Sequence, residues 1–230
     1  LCLLLSAFCL PTAASTVNVH VTVALCDNAS QGIVPVPAAI GDGNDPRTNL
    51  YWGASLGVKS WLKREGWKIE KATPPNPAIL ERIIAKKRIA SHDVVITADA
   101  WRGNRIRDAI TSFLERSASG SEDVVAYVGH DGLMEFTVAP RATRSAKPPR
   151  SIVLACASRQ YFEPLLRAAG SKPLLLTTGL MAPEAYTLTA AIEAWVTSGD
   201  EAQVREAAAR AYDRHQHCGL RGARRLFAER

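Results

Sequence analysis

Short apolar runs alternate with amphipathic stretches along most of this chain. The runs are rich in β-branched residues, which favours buried strands, and they predict strands at residues 17–26, 67–70, 92–101, 123–128, 151–157 and 173–179. Between them, apolar residues recur with helical spacing, which predicts helices at residues 49–65, 78–89, 104–116, 161–169, 183–197 and 201–212. A hairpin is predicted at residues 133–138.

The order of these elements predicts an α/β fold. Strand and helix alternate repeatedly, and most of the strands are nearly continuous apolar runs, which is typical of parallel strands buried on both faces. We therefore expect a doubly wound, mostly parallel sheet with helices on both faces. Residues 16–230 are expected to form a single domain without internal repeats.

The first 15 residues, LCLLLSAFCLPTAAS, form an apolar run that ends in a proline and small residues. This pattern predicts a secretory signal peptide and hence a periplasmic or secreted protein. A short core helix is the alternative. The run is too short to span a bilayer, and no other segment reaches that length, so no stable membrane insertion is expected.

Charge and cysteine content narrow the classes of partner. The net charge of +6 is concentrated at residues 141–150 and at the C-terminus. Neither cluster is interleaved with aromatic residues as a nucleic-acid surface usually is, so solvated segments are expected and no nucleic-acid partner is predicted. An anionic surface is the alternative partner. Beyond the signal peptide the chain holds three cysteines, so at least one is unpaired within the chain; they are Cys26, Cys156 and Cys218.

Polar and reactive residues follow the strongest predicted strands. Ligands of doubly wound sheets bind beyond the carboxyl ends of the strands, so these residues should meet along one functional edge. A lone strand-end Asp or Thr often only caps a turn, but so many together favour a site. The candidates for binding or orienting a substrate are Asp27, Asn28, Asp99, Asp131, Thr177 and Thr178.

Cys156 and His130 are the candidates for catalysis. A thiolate nucleophile needs a lowered pKa, which a nearby imidazole or a helix N-terminus supplies. His130 ends the strand before that of Cys156 in sequence, and the two would lie about 5 Å apart if the strands are neighbours. Backbone N–H groups at Gly132 and Ala157 could hold an oxyanion. The alternative for Cys156 is a small buried apolar residue.

Two other uses of these residues stay open. A disulfide between Cys26 and Cys156 is excluded by distance if their strands are two or more positions apart. A metal site of Cys26, Asp27, His130 and Asp131 lacks the spacing of zinc sites. The segment RHQHC at residues 214–218 has closer ligand spacing but stands alone near the C-terminus. We predict no metal and no other cofactor.

The stretches VVAYVGHDG at residues 124–132 and SIVLACAS at residues 151–158 resemble motifs of the caspase-like cysteine peptidases. In that superfamily, which includes legumains, gingipains and caspases, one apolar strand ends in His-Gly and a second ends in a small residue and Cys. LLLTTG followed by PEAY resembles the legumain branch. The resemblance implies a three-layer caspase-like sandwich, His130 as general acid–base, Cys156 as nucleophile and Asn28 as an orienting residue. Asp131 departs from the pattern by standing between His130 and Gly132.

Together these observations predict an exported cysteine peptidase-like hydrolase that acts on a peptide or protein substrate. One alternative is a catalytically silent module that binds a peptide or small ligand on the same scaffold; another is a metal-dependent hydrolase. An acidic rim of Asp27, Asp42, Asp45 and Asp99 would suit a basic side chain in the substrate. The sequence does not indicate an oligomeric state.

Overall fold

The predicted apolar strands form one sheet in the computed structural model, which describes residues 15–139 and 145–227. Nearly all of the expected signal peptide, residues 141–144 of the basic loop and the last three residues lie outside the described residues. The strands are β1 (Thr16–Ala24), β2 (Lys68–Ala72), β3 (Ile79–Ile89), β4 (His92–Trp101), β5 (Val124–Val128), β6 (Arg150–Leu154) and β7 (Lys172–Leu175).

The strand order is β2-β3-β4-β1-β5-β6-β7. The five strands from β4 to β7 in this order are mutually parallel. β2 and β3 extend the sheet as an antiparallel pair beside β4. The predicted α/β class with a mostly parallel sheet is confirmed.

Helices cover both faces of the sheet and complete a three-layer α/β sandwich. The described helices are α1 (Val58–Arg64), α2 (Ile106–Ser119), α3 (Ser158–Tyr161), α4 (Glu163–Ala168), α5 (Ala185–Ser198), α6 (Glu201–Gln216) and α7 (Leu220–Leu226). Helices α1, α5, α6 and α7 pack on the face that carries Val19, Val21 and Val23. Helices α2 and α4 pack on the face that carries Val125 and Tyr127. All five residues of β5 are buried, as expected for a strand between two helical layers.

The predicted helix at residues 78–89 is wrong, because this segment is strand β3. A two-residue turn joins it to β4, with Ile89 paired to His92 and Ala90 in a left-handed conformation (φ 50°). The buried residues Ile83, Ala85 and Ile89 all have odd sequence numbers, so they lie on one face of a strand, in which side chains alternate with a period of two. Pairing with β4 and β2 overrides the helical spacing that the apolar residues also allow.

Two other predictions were wrong in extent or in kind. Only Val58–Arg64 of the predicted helix 49–65 is helical, because residues 49–57 form turns around the side chain of Asn49. The predicted hairpin at residues 133–138 is instead one 3₁₀ turn, Gly132–Met134, followed by irregular chain. Within the described ranges, no helix is both long enough and apolar enough to cross a membrane.

Candidate functional site

The ends of β5 and β6 bring His130 and Cys156 to equivalent positions on the same edge of the sheet. Val128 of β5 is paired in register with Leu154 of β6, and the N–H of Gly129 donates to the carbonyl of Leu154 at 3.2 Å. His130 and Cys156 each stand two residues beyond this pair. The two strands are therefore neighbours, which is the condition set for bringing the two residues together, and neighbouring strands lie about 5 Å apart.

A sharp turn presents Cys156 between β6 and α3. Ala157 adopts the left-handed conformation (φ 48°, ψ 32°) and caps α3, a conformation that costs a non-glycine residue about 1 kcal/mol. The half-buried thiol lies 3.7 Å from the carbonyl oxygen of Met181 and 3.5 Å from its backbone nitrogen, so it can donate to the first and accept from the second. Because α3 has only four residues, its N-terminus adds little to the stabilisation of a thiolate.

Thr177, in the segment that follows β7, stabilises this turn through hydrogen bonds. Its hydroxyl donates to the carbonyl of Ala155 and accepts the N–H of Ser158 at 3.1 Å. The N–H of Thr177 donates to the Ser158 hydroxyl at 2.9 Å. Thr178 instead binds the C-terminal segment, since its N–H donates to the carbonyl of Leu226 at 2.7 Å. Thr177 therefore supports the Cys156 turn, whereas Thr178 anchors the end of α7.

His130 is buried and bonded to a carboxylate that the sequence analysis did not single out. Its Nε2 lies 2.6 Å from Oε1 of Glu135, and the same oxygen accepts the N–H of Gly32 at 2.8 Å. The Tyr127 hydroxyl donates to the carbonyl of His130 at 2.7 Å. Among the hydrogen bonds of the described residues, none joins His130 to Cys156. The sequence does carry a signal for Glu135, because this acidic residue closely follows a candidate catalytic histidine.

The two amides predicted for an oxyanion hole have acceptors within the protein. The N–H of Ala157 donates to the carbonyl of Gly179 at 2.9 Å, and the N–H of Gly132 donates to the carbonyl of His130 at 3.1 Å. The oxyanion role expected of the two amides stays a prediction. A substrate could use either amide only by displacing its present acceptor.

Asp131 is fully buried beside His130. One carboxylate oxygen accepts the N–H of Leu133 at 3.0 Å, and Oδ2 has no hydrogen-bond partner in the described structure. Burial raises the pKa of Asp131 to about 7; the bond from Leu133 opposes the shift, and the charge of Glu135 adds to it. Asp131 is thus a buried carboxyl group that titrates near neutral pH.

Asp27 and Asn28 order the loop that follows β1. Asp27 accepts the N–H of Ala29 at 3.0 Å and the hydroxyl of Ser30 at 2.6 Å. Asn28 forms two hydrogen bonds with the backbone of Val36, at 2.7 and 3.0 Å. Both side chains are therefore engaged in turn and loop contacts, and neither is bonded to His130 or Cys156.

Asp99 does not end its strand but lies inside β4, which continues to Trp101. Arg82 donates two hydrogen bonds of 2.6 Å to its carboxylate, and His20 lies 3.3 Å away. Burial alone would raise the pKa of Asp99, but the hydrogen bonds from Arg82 and His20 outweigh it and lower the pKa. Asp99 therefore forms an internal ionic cluster instead of joining the residues at the strand ends.

Asn49 is a buried residue whose side chain joins the end of β1 to the following loop, and the sequence analysis missed it. Its side chain accepts the N–H of Cys26 at 3.0 Å and donates to the carbonyls of Cys26 at 2.8 Å and Asp42 at 3.0 Å. Burial raises the pKa of the Cys26 thiol to about 11, although a hydrogen bond with Tyr51 opposes the shift. Cys26 is thus a poor candidate for a thiolate. A single polar residue at the start of an apolar stretch was the only signal for Asn49.

The cysteines and histidines do not assemble into a metal site in the described part of the chain. Cys26, Cys156 and Cys218 are free thiols, and β1 lies two positions from β6, the separation expected to exclude a disulfide. His215 stacks on Tyr186 with ring centroids 4.1 Å apart. Within residues 15–139 and 145–227, no group of three or more His, Cys, Asp or Glu side chains could hold a metal ion.

Comparisons of this chain with protein-family models, with curated proteins and with solved structures find no match. The resemblance to caspase-like peptidases therefore stays an interpretation of three short motifs. The chemistry of the edge has to be inferred from its own geometry.

Proposed function

We propose that this protein is a cysteine hydrolase of the peptidase type, with Cys156 as nucleophile and His130 as general acid–base. The supporting observation is the register of β5 and β6, which gives the two residues equivalent positions beyond neighbouring strand ends. Export of the protein belongs to the same proposal and depends on the signal-peptide pattern at residues 1–15.

The bond between His130 and Glu135 suits a base held by a third group. With Nε2 donating to the Glu135 carboxylate, Nδ1 of the neutral imidazole keeps its lone pair and can accept the thiol proton of Cys156. The Met181 N–H, 3.5 Å from the sulfur, would favour the thiolate that forms. Glu135 thus acts as a positioning residue for His130.

The proposed reaction follows the course of acyl transfer through a thioester. The Cys156 thiolate attacks the carbonyl carbon of a peptide, His130 gives the thiol proton to the departing amine, and the peptide C–N bond breaks. Water then attacks the thioester while His130 accepts its proton. The C–S bond breaks, the carboxylic acid leaves, and His130 returns the proton to the sulfur.

The test is the rate of iodoacetamide modification of Cys156 against pH, measured by peptide mass spectrometry. Cys218, an exposed free thiol of the same chain, is the internal reference, and Cys156→Ser sets the background. We expect Cys156 to react well below pH 8, where an ordinary thiol is mostly protonated, and to react at least about tenfold more slowly in His130→Ala. A Cys156 that titrates like Cys218 and ignores the histidine would overturn the proposal.

A second candidate function is a silent module that binds a peptide or ligand at the same edge. The observation in its favour is that the amides of Gly132 and Ala157 already have internal acceptors. This candidate requires an unactivated Cys156 and an affinity for ligand that survives Cys156→Ala. The iodoacetamide experiment therefore separates the two functions before any substrate is known.

A further inference from the structure

Three large apolar side chains are exposed in the described part of the chain, and all belong to loops at one edge of the sheet. They are Val34, Leu180 and Met134, with 87%, 80% and 46% of their surface exposed. The loops follow β1, β7 and β5, respectively. A single exposed apolar residue needs no explanation, but the shared location of all three does.

The residues next to Leu180 and Met134 are bonded to the candidate catalytic pair. Leu180 directly precedes Met181, whose backbone contacts the sulfur of Cys156. Met134 directly precedes Glu135, which is bonded to His130. The loops that carry Leu180 and Met134 therefore contact the proposed reacting groups.

Val34 is connected through Gly32, two residues before it. The N–H of Gly32 donates to Glu135 at 2.8 Å, and a Cβ added at Gly32 would collide with the same carboxylate oxygen. Glycine therefore allows the close approach that ties this loop to Glu135. Pro35 and Pro37 follow Val34 and restrict the backbone further, so Val34 is presented by a stiffened loop.

The acidic rim expected from the sequence is only partly open: Asp42 is exposed, whereas the other three aspartates have side-chain partners within the protein. Asp27 and Asp99 are buried and hydrogen-bonded within the protein. Asp42 accepts the N–H of Asn44 at 2.8 Å, and Asp45 receives two hydrogen bonds from the side chain of Arg47, at 3.0 and 2.9 Å. Around the pair, large apolar side chains are exposed beside polar ones such as Arg159.

We propose that the substrate of this site carries an apolar side chain, of the size of leucine or methionine, next to the carbonyl that Cys156 attacks. Val34, Met134 and Leu180 would remove that side chain from water. This inference rests on the proposed cysteine hydrolase function and specifies its substrate class.

The probes are the chloromethyl ketones of N-acetyl-leucine and N-acetyl-lysine. In each, the Cys156 thiolate forms a C–S bond, the C–Cl bond breaks and chloride leaves, so the rate of mass increase at Cys156 reports recognition of the side chain. We expect the leucine probe to react about tenfold faster than the lysine probe, the scale on which apolar contacts discriminate. Iodoacetamide, which carries no side chain, measures the thiol alone.

The variant Leu180→Asn should bring the two probe rates together when each is divided by the iodoacetamide rate of the same variant. The control is Leu165→Asn on α4, a leucine that packs against the core on the α2 and α4 face of the sheet, and this variant should keep the leucine preference. Equal rates for both probes on a His130-activated Cys156, or a faster lysine probe, would overturn the apolar specificity and leave the hydrolase in place. A Cys156 without His130-dependent reactivity toward iodoacetamide would remove both.

Discussion

Arg82 and Asp99 face each other across strands β3 and β4 and are joined by two hydrogen bonds of 2.6 Å. The Asp99 side chain is only 2% exposed and that of Arg82 is 18% exposed. His20 approaches the same carboxylate from β1, and burial lowers the pKa of His20 more than the bond to Asp99 raises it. The Asp99 charge therefore depends mainly on Arg82.

Arg82→Met should lower the free energy of unfolding by about 3–5 kcal/mol, because it leaves a buried carboxylate without its partner. Arg88→Met is the matched control on the same strand, since Arg88 pairs with Asp93 where both side chains are more than half exposed. That variant should cost less than about 1 kcal/mol. Urea unfolding of both variants at pH 7 tests the contrast, and equal losses would contradict it.

Asp131→Asn should change the pH dependence of stability. The folded state raises the pKa of Asp131 from 3.8 to about 7. Between these values the folded protein holds a proton that the unfolded chain has lost. The contribution of Asp131 to stability is therefore greatest at low pH, falls by up to about 1.4 kcal/mol per pH unit as pH rises, and levels off above pH 7.

The free energy of unfolding of Asp131→Asn, taken relative to that of the wild type, should consequently increase as the pH rises from 5 to 8. Urea titrations of both proteins at unit pH intervals provide the measurement. Taking the difference cancels titrations that the two proteins share, including that of His20. Two curves that run parallel over this range would show that Asp131 is ionised throughout.

Asn49→Ala should lower the free energy of unfolding by about 3 kcal/mol. The substitution leaves the buried N–H and carbonyl of Cys26 and the carbonyl of Asp42 without their side-chain partner, and unsatisfied buried groups are costly. The control is Asn76→Ala, because Asn76 makes one exposed bond to the N–H of Ala78. It should cost less than about 1 kcal/mol; denaturant unfolding of the pair decides.

Thr177→Val should disturb the Cys156 turn while keeping the volume of the side chain. It removes the hydroxyl that donates to Ala155 and accepts from Ser158, at a cost of about 1–3 kcal/mol. We expect a lower free energy of unfolding and a changed iodoacetamide rate at Cys156. Thr178→Val, which affects the contact with α7 instead, should leave that rate as it is.

The sequence predicted the sheet edge better than the contacts made there. β5 and β6 were recognised because strands buried on both faces are continuous apolar runs, and their order then placed His130 beside Cys156. The segment of β3 was harder, because its apolar residues fit a helical period as well as a strand period. Only pairing with β4, a tertiary interaction, distinguishes the two.

That error also concealed the partner of Asp99. With Arg82 assigned to a helix, nothing in the sequence placed it opposite Asp99 on a neighbouring strand, so the aspartate remained a candidate for the site. The partners of Asp27, Asn28 and His130 come from loops whose conformation no periodicity encodes. The residue types at a strand end can therefore be predicted from the sequence, whereas their hydrogen-bond partners in the folded protein cannot.

The two outer strands of the sheet are closed to further strands by different means. β2 presents Lys68, Glu70 and Lys71 as exposed side chains, and charges along an outer strand discourage pairing with another molecule. Just beyond β7, Thr177 pairs with Phe227 of the C-terminal segment in an antiparallel bridge, so the backbone there already has a partner. Release of that segment would expose backbone groups with which a strand of another molecule could pair, so the bridge at Phe227 also protects the protein from aggregation.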